Sequence, residues 1–393
     1  MGKLGGDEMR EIAISGLGLI SSIGTDLNSS WNNILEGASG ADKVKKFSET
    51  PFHNYNACEI KKLTSIVSKN SYMGSATSLF FETVKQALED ASLSINNTMS
   101  VGISIGTTMG EIDSLENHLL NNSKWKGKAG PNVIADQIYE KLNLQGPKWT
   151  ITNACAAGNI AISRAMEDII KGNADVMIAG GVDILSWVAL SGFNSLKALS
   201  PDQCRPFDKN RRGLLLGEGS GVVILESKEH LRKRAKKRKA LLVGYGLSSD
   251  AHHITQPDPE GDGASLAMKK AIEMGNISKE DIGYISAHGT GTVANDLMEN
   301  VAIKKVFGTN NPLVSSIKGH IGHTLGAASA IEAIISVKIL NTGMIPHTLN
   351  LKKVDPNINL NLVKGAPFKK SIDYVLSNSY AFGGVNSSLL IRR

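Results

Sequence analysis

Ile14-Ser15-Gly16-Leu17-Gly18-Leu19 and, some 228 positions later, Leu242-Val243-Gly244-Tyr245-Gly246-Leu247 are two copies of one pattern, an apolar β-prone run with glycine at alternate places. Further along, Ala179-Gly180-Gly181-Val182-Asp183 is echoed by Phe382-Gly383-Gly384-Val385-Asn386. Between the members of each pair lies a small-residue helix opened by a reactive side chain. In the first half this is Cys155-Ala156-Ala157-Gly158; in the second it is His323-Thr324-Leu325-Gly326. Each echo is weak alone. Their shared order predicts two related βα halves, over 11–240 and 241–393, joined near residue 240. A site built by both belongs at their interface. Residues 1–10 read as an N-terminal extension, with Met9 as an alternative start.

Working outward, apolar β-branched runs alternate with helical periodicity. Strands are expected at Glu11–Gly16, Val101–Gly106, Asp175–Ala179, Gly221–Glu226, Leu241–Gly244, Tyr284–Ala287 and Leu313–Ser316. Helices are expected at Ser29–Glu36, Ser75–Ala91, Ala156–Lys171, Ala264–Met274 and Ala327–Leu340. The alternation predicts an α/β protein whose central strands are buried. A length of 393 residues exceeds what one hydrophobic core serves, which agrees with duplication. Forty glycines against eleven prolines fit a globular chain and exclude collagen.

Uncharged apolar stretches such as Val176–Val182 fall far short of the roughly 20 residues of a membrane span. The N-terminus has no apolar signal core, and Gly6 stands where a myristoylation signal needs Ser or Thr. Cys58, Cys155 and Cys204 form neither a disulfide framework nor a metal spacing. A cytoplasmic, reducing location follows as the expectation.

The net charge of +6 has a local source. Lys228–Lys239 carries eight Lys or Arg and one Glu; the rest of the chain has 35 basic and 36 acidic residues. One solvated helix end accounts for that patch. A docking patch for an acidic partner is the alternative, and the lack of interleaved aromatics argues against single-stranded nucleic acid.

Chemistry concentrates in three places. In Thr152-Asn153-Ala154-Cys155-Ala156-Ala157-Gly158 a β-prone lead-in ends at Cys155, and small residues open a helix. Free backbone N–H groups and the positive helix end there stabilise a thiolate, and can receive an oxyanion after attack on a thioester. From this motif alone, a buried structural cysteine stands level with a nucleophile. His288, in Ala287-His288-Gly289-Thr290-Gly291-Thr292, follows a short strand. His323, in Lys318-Gly319-His320-Ile321-Gly322-His323, precedes a small-residue helix. Two such histidines with a matching cysteine favour catalysis over packing. Zinc on Cys155, His288 and His323 would use no recognisable local ligand pair, so no metal is expected. Gly16-Leu17-Gly18 lacks the third glycine of a dinucleotide-binding turn.

These motifs resemble the β-ketoacyl-acyl-carrier-protein synthases of the thiolase superfamily, in their elongating branch. The resemblance runs from Ser15-Gly16-Leu17-Gly18, Trp31 and Leu35-Glu36-Gly37 through Arg205-Pro206-Phe207-Asp208 and Gly217-Glu218-Gly219-Ser220-Gly221 to Asn378–Asn386. It implies a thiolase-like, layered α/β/α/β/α sandwich. It also implies that Cys155 accepts the acyl group, that His288 and His323 are the catalytic pair, and that Lys318 and Glu332 support them. Thr290 and Thr292 would line the phosphopantetheine channel. Phe382 would gate the site, its N–H joining that of Cys155 in an oxyanion hole. Met109 and Phe193 would line the acyl pocket, although ordinary core packing fits the same residue types. Asp296 takes a supporting place. Substrates would arrive on the phosphopantetheine of acyl carrier protein, with no other cofactor.

Other branches fit less well. Degradative thiolases use a second cysteine in the C-terminal glycine loop, absent from Phe382-Gly383-Gly384. Chain-initiating synthases have Asn where His323 stands, and chain-length factors lack the cysteine. Asn295-Asp296 is closer to synthases of specialised pathways, so a type II polyketide or polyene ketosynthase working with a Cys-less chain-length factor is the alternative to fatty-acid elongation. A homodimer or such a heterodimer is expected. His320 is expected to play no catalytic part. The basic segment that docks carrier protein in relatives is thin here, with only Lys69 in Ile66–Tyr72; Lys197 or Lys228–Lys239 would replace it. A scaffold that kept the fold without activity is disfavoured by the intact Cys155, His288, His323 and Lys318.

Overall fold

A computed structural model describes residues 12–47, 55–70, 73–96, 98–121 and 129–393. The expected extension over 1–10, Glu11, and Ser71 and Tyr72 of the thin docking segment lie outside the described residues.

Among the described residues, eleven strands share one hydrogen-bonded ladder. In chain order they are β1 (Ile12–Ser21), β2 (Val101–Gly106), β3 (Lys148–Ile151), β4 (Val176–Asp183), β5 (Gly219–Ser227), β6 (Ala240–Ser249), β7 (Ile282–Ser286), β8 (Leu313–Ser315), β9 (Asn361–Leu362), β10 (Tyr374–Ala381) and β11 (Val385–Arg392). Their spatial order is β9-β8-β7-β10-β11-β6-β1-β5-β4-β2-β3. The ladder narrows in the middle, where β1 meets β6 over only Ile12–Ile14 and Ala240–Leu242. Strands on one side of that junction precede residue 240, and those on the other follow it.

The two sides repeat each other. In the first, β3 and β4 flank β2 in parallel, while β5 and β1 follow antiparallel. In the second, β8 and β10 flank β7 in parallel, while β11 and β6 follow antiparallel. The duplication read from the glycine echoes is therefore a duplication of topology.

Helices complete five layers. Helices α1 (Ser75–Asp90) and α2 (Asn132–Lys141) cover the outer face of the first sheet, burying Leu79, Phe80, Val84, Ile134 and Ile138 against Ile103, Ile105 and Ile178. Helices α4 (Asp262–Met274) and α5 (Val293–Phe307) do the same for the second sheet. Between the sheets lie α3 (Ala157–Ile170) and α6 (Ala328–Thr342), sharing one apolar cluster with strands of both halves. The segment Leu325–Thr342 is long and apolar enough to cross a membrane, but 83% of it is buried inside the protein. Glu332 and Lys338 interrupt it, which is why a search for uncharged stretches passes over it. Here it is the middle layer.

The opening glycine pairs have a packing cause. A Cβ on Gly16 or Gly18 would lie 2.2 Å from the carbonyl oxygen of Ala87 or Thr83 on α1. On Gly244 or Gly246 it would lie 2.5 or 1.9 Å from that of Ala271 or Ala267 on α4. In both halves the missing side chains let a helix lie directly on a strand. The second echo is different. Gly180 and Gly181 sit inside β4, whereas Gly383 (φ +84°) and Gly384 (φ +75°) form the turn between β10 and β11. Those glycine pairs are not structural equivalents.

Candidate active site

Cys155 lies in a one-turn 3-10 segment, Ala154–Ala156, that leads into α3. Ala154 takes a left-handed φ of +46°, a strained turn that swings the chain from β3 into the helix. In the second half, Leu325 (φ +50°) begins the matching turn Leu325–Ala327 before α6. The structural counterpart of Cys155 is thus Gly326. His323 lies before that turn, so the sequence pairing of Cys155 with His323 is displaced by three residues.

The second half holds the cysteine segment. The carbonyl of Cys155 accepts from Ser379 Oγ at 2.9 Å, Asn159 N–H donates to Ser329 Oγ at 2.9 Å, and Asn159 Nδ2 donates to the Ser377 carbonyl at 3.1 Å. The His323 backbone is clamped in turn by the first half, donating to the Leu215 carbonyl at 2.7 Å and accepting from Gly217 N–H at 3.0 Å. As a result His323 Nε2 stands 3.0 Å from Cys155 Sγ.

His288 follows β7, and its ring meets that of His323 edge-on with centroids 5.3 Å apart. Lys318 Nζ donates to the His288 carbonyl at 2.6 Å, lies 3.4 Å from His288 Nδ1, and pairs with Glu332. Cys155, His288, His323, Lys318 and Glu332 are all buried. Removing one member of the Lys318–Glu332 pair would leave a buried charge uncompensated, at a cost of about 3–5 kcal/mol.

Burial dominates the protonation states. It pushes the Cys155 thiol up to about 12, with Lys318 opposing. It drives His288 and His323 well below the usual histidine value, and the neighbouring Lys318 cation acts in the same direction. The pair is therefore neutral imidazole at pH 7. The thiolate expected from the helix end is not the resting form; burial favours the thiol, and His323 is placed to exchange its proton.

The ligand atoms of Cys155, His288 and His323 lie within 4.8 Å of one another, so the fold does gather a set that the sequence spacing conceals. Lys318 at 3.4 Å from His288 Nδ1 puts a fixed cation where a divalent ion would be repelled.

A cavity of about 540 Å³ opens onto these three residues. Thr290, Thr292, Phe193, Phe382 and Tyr380 line it, with exposed Lys197 and Arg212 at its mouth. The hydroxyls of Thr290 and Thr292 are 2.9 Å apart. Phe382, 38% exposed, stacks on Phe193 with ring centroids 5.6 Å apart. Met109 does not reach the cavity; it packs with Phe193, Leu190 and Leu325 in an apolar cluster beside it. Asp296 is buried and accepts from the N–H groups of Gly291 and Phe207, holding the threonine loop.

His320 is buried away from the cavity, its two ring nitrogens facing the carbonyls of Ala38 and His347. The Lys228–Lys239 patch follows the end of β5 that pairs with Ile12 and Val176, while the opposite end pairs with Asp183 on the side of the site. The length of β5 separates them, roughly 26 Å at strand rise. Of the two substitutes for the thin docking segment, only Lys197 borders the cavity.

Several residues around the site carry no local sequence signal. Glu299 accepts from the N–H groups of His288 and Gly289 at 2.9 and 2.8 Å, anchoring the His288 loop. Tyr380 sets its ring edge-on against His288. Asp183, noticed only within a glycine echo, receives hydrogen bonds from both halves. A buried carboxylate in a helix or strand leaves no local motif, so no short pattern could have flagged Glu299 or Asp183.

Comparison with known proteins agrees over nearly the whole chain. Residues 9–230 match the family described as beta-ketoacyl synthase, N-terminal domain, and residues 239–352 match its C-terminal domain. The 3-oxoacyl-[acyl-carrier-protein] synthase 2 of Vibrio cholerae is 36% identical, covering 98% of this chain and 99% of that protein. Nodulation protein E of Rhizobium meliloti is 35% identical at the same coverage. Among solved structures, the ishigamide ketosynthase/chain length factor superposes with a TM-score of 0.91 at 33% identity, covering 98% of this chain and 99% of that one.

Proposed function

Since the chain belongs to the β-ketoacyl synthase family, we propose that it elongates acyl chains in fatty-acid synthesis, condensing malonyl-acyl carrier protein with an acyl group held on Cys155. The observation that carries this reading is the approach of Cys155 Sγ and His323 Nε2 to 3.0 Å, with His288 beside them in one cavity.

The reaction follows from those positions. Cys155 passes its proton to His323 as sulfur attacks the carrier thioester. Collapse of the tetrahedral oxyanion expels the phosphopantetheine thiolate, which takes that proton. Malonyl thioester then loses carbon dioxide, and the enolate oxygen is held by N–H donors of His288 and His323. The enolate carbon attacks the acyl-Cys155 carbonyl, a carbon–carbon bond forms, the carbon–sulfur bond breaks, and Cys155 leaves as a thiolate that takes up a proton to return to the resting thiol. Loss of carbon dioxide supplies the driving force, so no redox cofactor is involved. Lys318 and Glu332 hold His288, and Thr290 and Thr292 border the arm.

The partner is an acidic acyl carrier protein approaching the Lys197–Arg212 mouth, in the cytoplasm. Among the described residues β3 is the outer edge of the first sheet, with Trp149 37% exposed, and a second subunit would pair there. The likeness to the ishigamide ketosynthase/chain length factor supports a second reading, a polyketide or polyene ketosynthase paired with a Cys-less subunit. The test is direct. Purified protein given acyl and malonyl carrier proteins should release carbon dioxide and β-ketoacyl carrier; activity appearing only when a Cys-less homologue is added would favour the second reading, and no product in either case would reject both.

A further inference from the structure

Asp183 ends β4 and is wholly buried. Its carboxylate gathers four donors. Thr107 Oγ1 donates at 2.9 Å, Thr108 N–H at 2.9 Å and Met109 N–H at 2.8 Å. Gly326 N–H, from the other half, donates at 2.6 Å. Three of these fix the turn after β2 that presents Met109. The fourth fixes the turn Leu325–Ala327, which begins two residues after His323.

The two turns have side chains in one place. Met109 and Leu325 belong to the same apolar cluster as Phe193, and Phe193 lines the cavity with Cys155. There is no slack for either turn to shift alone. A Cβ on Gly326 would lie 2.8 Å from Asp183 Oδ2 and 2.8 Å from the Thr107 backbone. Leu325 is held with φ at +50°, a conformation that needs outside support.

We propose that Asp183 is a positioning residue that sets acyl-chain selectivity, by fixing the backbones of Met109 and Leu325, whose side chains pack in one cluster with Phe193 behind the wall of the cavity. The inference rests on the condensing activity proposed above. Asp183 touches neither acyl group nor reacting atoms; it acts through the two turns. Asparagine in its place keeps one acceptor oxygen but turns an NH₂ group toward N–H donors, so one of the turns is released.

The test compares kcat/KM for short and long acyl carriers in wild type, Asp183→Asn and Thr107→Val. Thr107→Val removes one donor while leaving the carboxylate in place, and it decides the matter if the asparagine variant does not fold. The ratio of long to short primers should change by about tenfold in Asp183→Asn, the equivalent of one lost hydrogen bond to a charged group. Thr107→Val should move it the same way by a smaller factor, with KM for malonyl carrier unchanged. A merely structural role would lower all primers by one common factor, and an unchanged ratio in the folded variants overturns the inference. Absence of condensation by wild type would instead count against the functional reading.

Discussion

Cys155 and His323 are 168 residues apart and come from different halves of a duplicated fold, yet Sγ and Nε2 meet at 3.0 Å. Each is held by the opposite half: Cys155 through Ser379, His323 through Leu215 and Gly217. The site therefore exists only when the two sheets are closed on α3 and α6. Burial pushes the Cys155 thiol up to about 12, so the proposed attack needs a neighbour to take its proton, and His323 stands in that place.

The histidines should separate cleanly. His323→Ala removes the group beside Cys155 and should lower kcat by at least a hundredfold, within the usual range for a positioned acid or base. His320→Ala should retain most activity in the folded protein, since its ring faces Ala38 and His347 outside the cavity. Steady-state rates decide it, and equal losses would mean the site is misassigned.

Met109 packs beside the cavity in one cluster with Phe193, so its size tests whether the acyl pocket extends past Phe193. Met109→Phe should shorten the primer accepted, because each excluded methylene forfeits about 0.8 kcal/mol. Met109→Ala should leave short primers unaffected and admit longer ones. Rates across a series of acyl carriers give the answer; identical profiles would place the pocket elsewhere.

Carrier docking is predicted at the cavity mouth. Lys197→Glu with Arg212→Glu should raise KM for acyl carrier protein roughly five- to tenfold and weaken its salt dependence. Turnover of a small thioester lacking the protein should be unchanged. Lys236→Glu with Lys237→Glu, beyond the far end of β5, should have no effect. The opposite ranking would put docking on the distant patch.

Buried carboxylates predict how stability varies with pH. Burial pushes Glu299 up to about 8 and Glu332 to about 7, above their unfolded values. Between those values the folded state binds more protons than the unfolded one, so stability falls as pH rises. The buried histidines act oppositely, but only below about 6.5, where the unfolded chain takes up protons. Thermal midpoints should therefore fall from pH 6.5 to 8.5, and Glu299→Gln should flatten the slope. A midpoint that rises over this range would contradict the burial argument.

What the sequence made legible was local. Cys155, His288 and His323 stand in short motifs at strand and helix junctions, Lys318 came through the family resemblance, and all four meet. Gly16-x-Gly18 and Gly244-x-Gly246 disclose the duplication because a helix needs that gap on a strand. Helix α5 escaped because its inner face carries the buried polar residues Asn295, Asp296 and Glu299, which break the apolar period. Asp183 and Glu299 acquire their roles only through contacts across the fold. The thiol illustrates the same limit, since a helix end is visible in sequence and burial is not.

The most direct measurement is the mass of the intact protein after brief exposure to an acyl carrier protein, followed by peptide mapping. The account predicts a mass gain of one acyl group on Cys155, absent in Cys155→Ala, which disappears on adding malonyl carrier as β-ketoacyl carrier and carbon dioxide form. An acyl group found on Cys58, Cys204 or no cysteine at all, with product still formed, would contradict it.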